Sequence, residues 1–322
     1  MKTHDYELWL ERLWKGERRA AARLISQVEN NRGRIEIMCQ ILPRTGQRMI
    51  LGITGPPGAG KSSLVGAMTH LYRDQKEKVG IVAVDPSSPY SGGAILGDRI
   101  RMQSHSTDPG VFIRSMGTRG HLGGVARSTG DVLRILEAAG YERLLLETVG
   151  VGQSELEIME LADTVIVVLN PGTGDGIQAI KAGIMEIADI FVVNKADLPG
   201  AEHLKNDIEM VLGLNGEKPW RPPVILTSVL DQRGLSELRD QIALHQNYLI
   251  QSGKNLLRRK QAFAQEVWYH WEELARQSFA IAWENLRDAE KDLEQENPYR
   301  LAEKVWASIV TEETVKHVSF SK

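Results

Sequence analysis

A glycine-rich stretch near residue 55 constrains this chain more than any other feature. Residues 55–62 read GPPGAGKS and fit the G-x-x-x-x-G-K-[ST] pattern of phosphate-binding loops. The apolar run 49–54 before it predicts a buried strand, and the apolar spacing of 63–72 after it predicts a helix. The alternative is a glycine-rich turn that contains GKS by chance, and such a turn would need neither the strand before it nor the helix after it. Because loop N–H groups and a helix N-terminus attract phosphate oxygens, the arrangement predicts an α/β nucleotide-binding fold.

The residues of this loop have distinct predicted roles. Its glycines let the backbone curl around a phosphate group. Lys61 is expected to reach the β- and γ-phosphates, and the Ser62 hydroxyl is expected to ligate Mg²⁺. The residues predicted to contact the nucleotide here are Gly55, Pro56, Pro57, Gly58, Ala59, Gly60, Lys61, Ser62 and Ser63.

The composition limits which partners and which cellular compartment fit this chain. The net charge of −3 gives no electrostatic reason to expect binding to nucleic acid or to an acidic membrane. The single cysteine, Cys39, excludes an intrachain disulfide and fits a reducing compartment. The first residues lack the apolar core of a signal peptide, and no apolar stretch has the length of a membrane span. We therefore expect a cytoplasmic protein.

Three regions differ in their apolar pattern. Residues 1–45 predict a helical extension, with helices over about 5–30, interrupted at Gly16, and over about 33–42. Residues 46–246 alternate helical stretches with continuous apolar runs, which is typical of a parallel sheet covered on both faces. The predicted strands are 49–54, 79–84, 111–115, 144–148, 165–169, 190–193 and 224–227, and the predicted helices between them include 125–139, 178–187 and 235–244.

Residues 247–322 lose the strand signal and predict a helical arm. An apolar stripe at helical spacing runs along a highly charged background, and the break at Asn297-Pro298 precedes a shorter helix over about 299–310. A helical arm this rich in tryptophan, with Trp268, Trp271, Trp283 and Trp306, is usually packed core. Because the stripe follows a domain that already looks complete, it also fits a dimerisation surface. Its members are Phe263, Val267, Trp271, Leu274 and Ile281.

The motif Asn194-Lys-Ala-Asp197 stands at the end of an apolar strand, where N-K-x-D is the guanine-reading element of GTPases. Asp197 can accept hydrogen bonds from both N1–H and N2–H of guanine, and such a site can reject a base lacking them by roughly 10⁴-fold. Asn194 is expected to tie the element to the phosphate loop, and the Lys195 side chain to lie over the base. An Asp that only caps a helix is the alternative. A second loop at a strand end is expected to close on the base through Ser228, Val229 and Leu230.

An acidic cluster is predicted beside the phosphates. Residues 144–150, LLLETVG, form an apolar strand that ends in Glu147, with Gly150 placed to contact the γ-phosphate. Asp85 ends another strand, and Asp98 follows a glycine-containing stretch. Together with Ser62, these three acids are the predicted Mg²⁺ ligands, directly or through water. A buried strand that simply ends in a solvated acid is the alternative for Glu147.

Two features of the loops bear on catalysis. Val151 follows Gly150, at the place where Ras-like GTPases carry a water-orienting Gln, so intrinsic hydrolysis is expected to be slow unless another group orients the water. The loop 170–176, NPGTGDG, has three glycines in five residues and opens a helix, which predicts a mobile third switch with Lys181 and Gln178 as its polar anchors.

Taken together, these motifs resemble the MeaB/ArgK family of P-loop GTPases. The segments that carry the resemblance are GPPGAGKS, VDPSSPYSGGAILGDRIRM, GHLGG, ETVGVGQSE, GDGIQAIKAGIMEIAD and NKAD, and it extends over about residues 5–310. The resemblance implies a SIMIBI-class GTPase that binds GTP or GDP with Mg²⁺, forms a homodimer and serves as a chaperone of an adenosylcobalamin-dependent acyl-CoA mutase. It also implies catalytic or switch roles for Lys61, Asp85, Asp98, Glu147 and Lys181.

Two other functions fit parts of the pattern. Nickel-inserting GTPases of the same class need Cys and His ligands, but this chain has one Cys and eight scattered His, without a Cys-x-x-Cys or a His tract. A P-loop kinase would share the phosphate loop, but the N-K-x-D motif and the switch-like glycine loops favour a GTPase. Both remain as alternatives at this stage.

Overall fold

The computed structural model describes residues 5–85, 107–117, 122–148, 159–172, 184–214, 216, 219–289 and 297–319. Of residues 5, 85, 122–127, 184, 288–289 and 311–319, it describes the backbone only. The strands are β1 Ile50–Thr54, β2 Val79–Asp85, β3 Val111–Gly117, β4 Arg143–Thr148, β5 Thr164–Leu169, β6 Ile190–Asn194 and β7 Val224–Thr227. All seven predicted strands are confirmed, with ends that differ by at most two residues.

Helices precede, separate and follow these strands. They are α1 Asp5–Trp14, α2 Arg18–Glu29, α3 Arg34–Ile41, α4 Lys61–Asp74, α5 Leu122–Ala138, α6 Ile184–Ile187, α7 Ala201–Leu214, α8 Leu235–Gln251, α9 Lys254–Ala289 and α10 Pro298–Ser319, with a 3-10 turn at Leu42–Arg44. The interruption predicted at Gly16 separates α1 from α2, and Gly16 has a φ of +74° that favours glycine. Of the predicted helix 178–187, only α6 lies within the described residues.

The seven strands form one parallel sheet in the order β3-β2-β4-β1-β5-β6-β7. Helices α4 and α8 cover one face, through residues such as Leu64 and Leu238. Helices α2, α3, α5 and α7 cover the other, through residues such as Leu24 and Leu133. Both faces are therefore buried, which explains why the strands read as continuous apolar runs. Because the strands are parallel, all their carboxyl ends meet at one edge of the sheet.

Buried or half-buried ion pairs attach the N-terminal helices to helix α5 and to the sheet. Arg34 of α3 pairs with Asp131 of α5, and Glu29 of α2 pairs with Arg114 of β3. Three successive backbone N–H groups, at residues 46–48, donate to the carboxylate of Glu137. The extension is thus part of the same compact unit as the sheet.

The chain divides into two compact units, Met1–Arg259 and Lys260–Lys322. Helix α8 continues past residue 246 and ends at Gln251, and α9 begins in the first unit and continues into the second. In the second unit Leu301 and Val305 are buried, whereas Trp268, Trp271 and Trp306 are each at least half exposed. Within the ranges given above, no helix combines the length and the apolar content that crossing a bilayer requires.

Candidate nucleotide site at the carboxyl edge of the sheet

The phosphate loop joins β1 to α4 in a backbone conformation that depends on glycine. Gly55, Gly58 and Gly60 have φ values of +142°, +77° and +91°. A Cβ on Gly55 would overlap the carbonyl of Val168 on β5, and a Cβ on Gly60 would overlap Nδ2 of Asn194. The loop is therefore packed against the ends of two neighbouring strands, which leaves no room for a side chain at either position.

Lys61 begins helix α4, and its side chain folds back over the loop. Its Nζ donates hydrogen bonds to the carbonyl oxygens of Gly55, at 2.7 Å, and Pro56, at 3.0 Å. The side chain is 6% exposed. A buried ammonium group is thereby held over the loop whose N–H groups would face phosphate oxygens, which is the position a phosphate-binding lysine needs.

The second residue of α4, Ser62, contacts the acid at the end of β4. Its Oγ donates to Oε1 of Glu147 at 2.6 Å, and both residues are buried. A hydroxyl that gives its proton to a carboxylate keeps its lone pairs available for a cation. The pair offers two hard oxygen atoms beside the phosphate loop, so the residues fit Mg²⁺. The register places Glu147 opposite Ile53 of β1 and Ala83 of β2, so Asp85 ends its strand at the same edge.

Asn194 connects the N-K-x-D motif to the phosphate loop, as the sequence predicts. Its Nδ2 donates to the carbonyl of Ala59 at 2.9 Å, and its Oδ1 accepts from the hydroxyl of Thr227 at 3.1 Å. Asn194 and Thr227 are buried. One amide therefore joins the ends of β6 and β7 to the loop after β1.

Asp197 and Ser228 are adjacent, although they follow different strands. The Ser228 hydroxyl lies 2.9 Å from Oδ1 of Asp197 and also 2.9 Å from Oδ2 of Asp231. Lys195 has a φ of +57°, and its carbonyl accepts from the N–H of Leu198, so the motif turns sharply after β6. The acidic side chain of Asp197 is exposed at this edge, where a base could reach it.

The described residues include part of the predicted site. Lys61, Ser62, Glu147, Asn194, Asp197 and Ser228 share the carboxyl edge of the sheet, as do Val229 and the strongly exposed Leu230. Asp98, Gly150 and Lys181 lie outside the described residues, as does the side chain of Asp85. Sequence reasoning placed Thr227 at the start of the loop that carries Ser228 but gave it no role of its own, and it missed Asp231, to which only its closeness in sequence to Ser228 could have drawn attention.

A second polar network lies at the opposite edge of the sheet. Asp189, just before β6, accepts hydrogen bonds from both terminal nitrogens of Arg258, at 2.9 and 3.1 Å, and lies 3.2 Å from Nε2 of His245. Burial opposes the ionisation of Asp189, but the bonds from His245 and Arg258 outweigh it and hold the pKa of that carboxyl below its ordinary value. For Asp163, just before β5, burial prevails and raises the pKa.

A parallel sheet with this loop, this buried lysine and this Asn-linked motif defines a P-loop GTPase. Comparison with known proteins gives the family. Residues 21–282 match the family model described as methylmalonyl-CoA mutase-associated GTPase MeaB. The chain therefore belongs to the MeaB family, and it is a GTPase of the SIMIBI class.

Individual relatives agree with the family match. A relative in Pyrococcus abyssi, provisionally described as a GTPase, is 51% identical over 80% of this chain and 81% of its own. The GTPase ArgK of Escherichia coli is 38% identical over 76% of this chain and 77% of its own. The methylmalonic aciduria type A homologue of mouse mitochondria is 35% identical over 80% of this chain and 66% of its own. Among solved structures, an LAO/AO transport system kinase superposes with a TM-score of 0.70 at 26% identity, covering 96% of this chain and 99% of that one.

Proposed function

We propose that this GTPase is a G-protein chaperone of an adenosylcobalamin-dependent acyl-CoA mutase, methylmalonyl-CoA mutase or a close relative of it. In this role it gates adenosylcobalamin loading and protects or reactivates the mutase. The observation that carries the proposal is the match of residues 21–282 to a family described by its association with that mutase. The mouse relative, whose name refers to methylmalonic aciduria, supports the same client.

For the phosphates, we propose that the loop 55–63 binds GTP and GDP through its backbone N–H groups, with Lys61 on the β- and γ-phosphates. The support is the position of the Lys61 ammonium over the carbonyls of Gly55 and Pro56. In the GTP complex this charge would move from neutral carbonyls to phosphate oxygens, where a charge-assisted hydrogen bond is stronger. The same charge would then stabilise negative charge that develops during phosphoryl transfer.

Ser62, Glu147, Asp85 and Asp98 are the proposed Mg²⁺ site. The Ser62–Glu147 contact supports it, because that bond orients the serine lone pairs away from Glu147. When bound, the cation would neutralise charge on the phosphate oxygens. Gly150 is proposed to contact the γ-phosphate and Lys181 to relay the presence of the client, and both remain predictions from the sequence.

For the base, we propose that Asn194, Lys195 and Asp197 read guanine, with the loop Ser228, Val229 and Leu230 closing on it. The support is the hydrogen bond from Asn194 to Ala59, which holds the reading element at a fixed distance from the phosphate loop. Asp197→Asn exchanges one acceptor for a donor, so GTP affinity should fall and xanthosine triphosphate should become the better ligand. The test is a titration of both proteins with GTP, ATP and xanthosine triphosphate, and equal binding of GTP and ATP by the unmutated protein would refute the assignment.

We also propose that the protein forms a homodimer through its helical arm. Along α9, Phe263, Trp268 and Leu274 are each more than half exposed in the single chain. Exposed apolar patches of this kind mark contact surfaces, and burial of each such side chain contributes about 1.5–3 kcal/mol. Analytical ultracentrifugation tests this: the unmutated protein should sediment as a dimer, and Phe263→Ser with Trp271→Ser should sediment as a monomer.

A further inference from the structure

One buried hydroxyl at the base-reading edge faces two carboxylates. Ser228 is fully buried, and its Oγ is 2.9 Å from Oδ1 of Asp197 and 2.9 Å from Oδ2 of Asp231. A hydroxyl has one proton, so it can donate to only one of these oxygens at a time. The backbone N–H of Asp231 donates to the same Oγ at 3.3 Å. The two acids are thus linked through a single proton, and they are no farther apart than two hydrogen-bond lengths.

The turn that carries Asp231 is closed by its backbone. Ser228 and Arg233 exchange two hydrogen bonds, of 3.1 and 3.0 Å, which form an isolated antiparallel bridge. Gly234 follows with a φ of +74°, and a Cβ there would overlap the carbonyl of Leu226. Asp231 is therefore fixed beside Ser228 even though its side chain is exposed to solvent.

We propose that Asp231 is a positioning residue for guanine selection and that it acts through Ser228. The proposal rests on the base-reading role proposed above for Asp197. When N1–H and N2–H of guanine donate to Asp197, they reduce the negative charge of that carboxylate and weaken it as an acceptor. The Ser228 proton then shifts toward Asp231, and the oxygens of Asp197 stay available to the base.

Two further effects of Asp231 also favour guanine binding. Its negative charge adds to that of Asp197, which favours the hydrogen-bond donors that guanine presents at this edge. The two like charges also repel each other, and guanine donors relieve that repulsion when they bind. Removal of Asp231 should therefore weaken guanine binding, although Asp231 itself does not contact the base.

The test is calorimetric titration with GDP and with IDP, whose base keeps N1–H but lacks the exocyclic amino group. Asp231→Ala should weaken GDP binding by about threefold to tenfold, as expected for one hydrogen bond, and should weaken IDP binding less. Asp231→Asn keeps an acceptor oxygen but loses the charge, so its affinity should lie between those of Asp231→Ala and the unmutated protein. Asp240→Ala, which removes an exposed carboxylate from α8, is the control for net charge and should leave both affinities unchanged.

A double-mutant cycle separates this role from simple support of the turn. In a Ser228→Ala background, Asp231→Ala should weaken GDP binding clearly less than it does in the presence of Ser228, because the linking proton is gone and only the through-space effect of the charge remains. Equal weakening of GDP and IDP, or an undiminished effect in the Ser228→Ala background, would overturn the proposal. An unmutated protein that binds GDP no better than IDP or ADP would instead refute the role of Asp197 itself, and with it this inference.

Discussion

Asn194, the last residue of β6, donates its side-chain amide to the main-chain carbonyl of Ala59 in the phosphate loop, with 2.9 Å between nitrogen and oxygen. Residues 135 positions apart in the sequence are thereby joined at one edge of the sheet. The bond holds the N-K-x-D motif at a fixed distance from the phosphate loop.

Asn194→Ala should weaken GDP binding by about tenfold or more. The substitution leaves the Ala59 carbonyl and the Thr227 hydroxyl without this partner in a buried place, which costs about 1–3 kcal/mol for each group left unsatisfied. Thr227→Val is the matched control, because it preserves the β-branched shape and removes only the Thr227–Asn194 bond. Calorimetry should show a clearly smaller loss for Thr227→Val, and equal losses in the two variants would contradict the linking role of Asn194.

Gly60→Ala should impair nucleotide binding more than Gly58→Ala. Both glycines have positive φ, so each substitution introduces backbone strain of roughly 1–2 kcal/mol. Only at Gly60 would the new Cβ also overlap Asn194, whereas nothing lies within 4 Å of a Cβ at Gly58. GDP titrations and thermal unfolding of both variants check this, and indistinguishable GDP affinities would contradict the close packing of the loop on Asn194.

Asp189→Asn and Asp163→Asn should have different effects on the free energy of unfolding at neutral pH. The pKa of Asp189 is lowered in the folded protein, so its stabilising effect is full above the unfolded pKa of about 4 and is lost as pH falls through the folded pKa. Asp189→Asn should therefore lower the free energy of unfolding at neutral pH by about 2 kcal/mol, and the difference should shrink in acid.

Asp163 provides the contrast. Burial raises its pKa, so its charge is a cost at neutral pH that disappears once pH falls below the unfolded pKa. Asp163→Asn should leave stability at neutral pH unchanged or raised, because an amide oxygen can still accept the bond that Ile50 N–H donates at 2.7 Å. Urea unfolding between pH 3 and about pH 8 measures both variants, and a destabilised Asp163→Asn at neutral pH would contradict this sign.

Sequence patterns predicted the sheet because each strand is a continuous apolar run that both faces of a parallel sheet require. They also predicted Asn194 as a link, since the strand-end position of N-K-x-D defines where its side chain lies. They did not predict the Asp189–Arg258–His245 network or the place of Asp231. Such contacts between side chains depend on how turns and helices pack in three dimensions. The apolar periodicity of the sequence does not predict them.

In the C-terminal region, sequence patterns predicted the helices but not their full length or their burial. The shorter helix predicted over 299–310 continues to Ser319. Four of residues 311–319 are β-branched and have low helix propensity, so their pattern did not mark the continuation of the helix. The predicted apolar stripe is present on α9, yet its side chains are largely exposed in one chain. Periodicity reports that a face is apolar and cannot say whether the same chain or another copy covers it.

The proposed coupling to a mutase depends on slow hydrolysis by the protein alone. The side chain of Val151 has no polar group that could orient water. Basal turnover should therefore be on the order of 10⁻³ per second, as for unassisted GTPases. Lys61→Ala should abolish even this rate, so this variant serves as the control for GTP hydrolysis that does not come from this site. Lys181→Ala should keep the basal rate but reduce any acceleration by the client.

The most direct test is GTP turnover by the unmutated protein with and without the methylmalonyl-CoA mutase of the same organism. Acceleration of roughly tenfold or more, reduced in Lys181→Ala, is the predicted result. A mutase that neither binds this GTPase nor changes its rate would contradict the chaperone role.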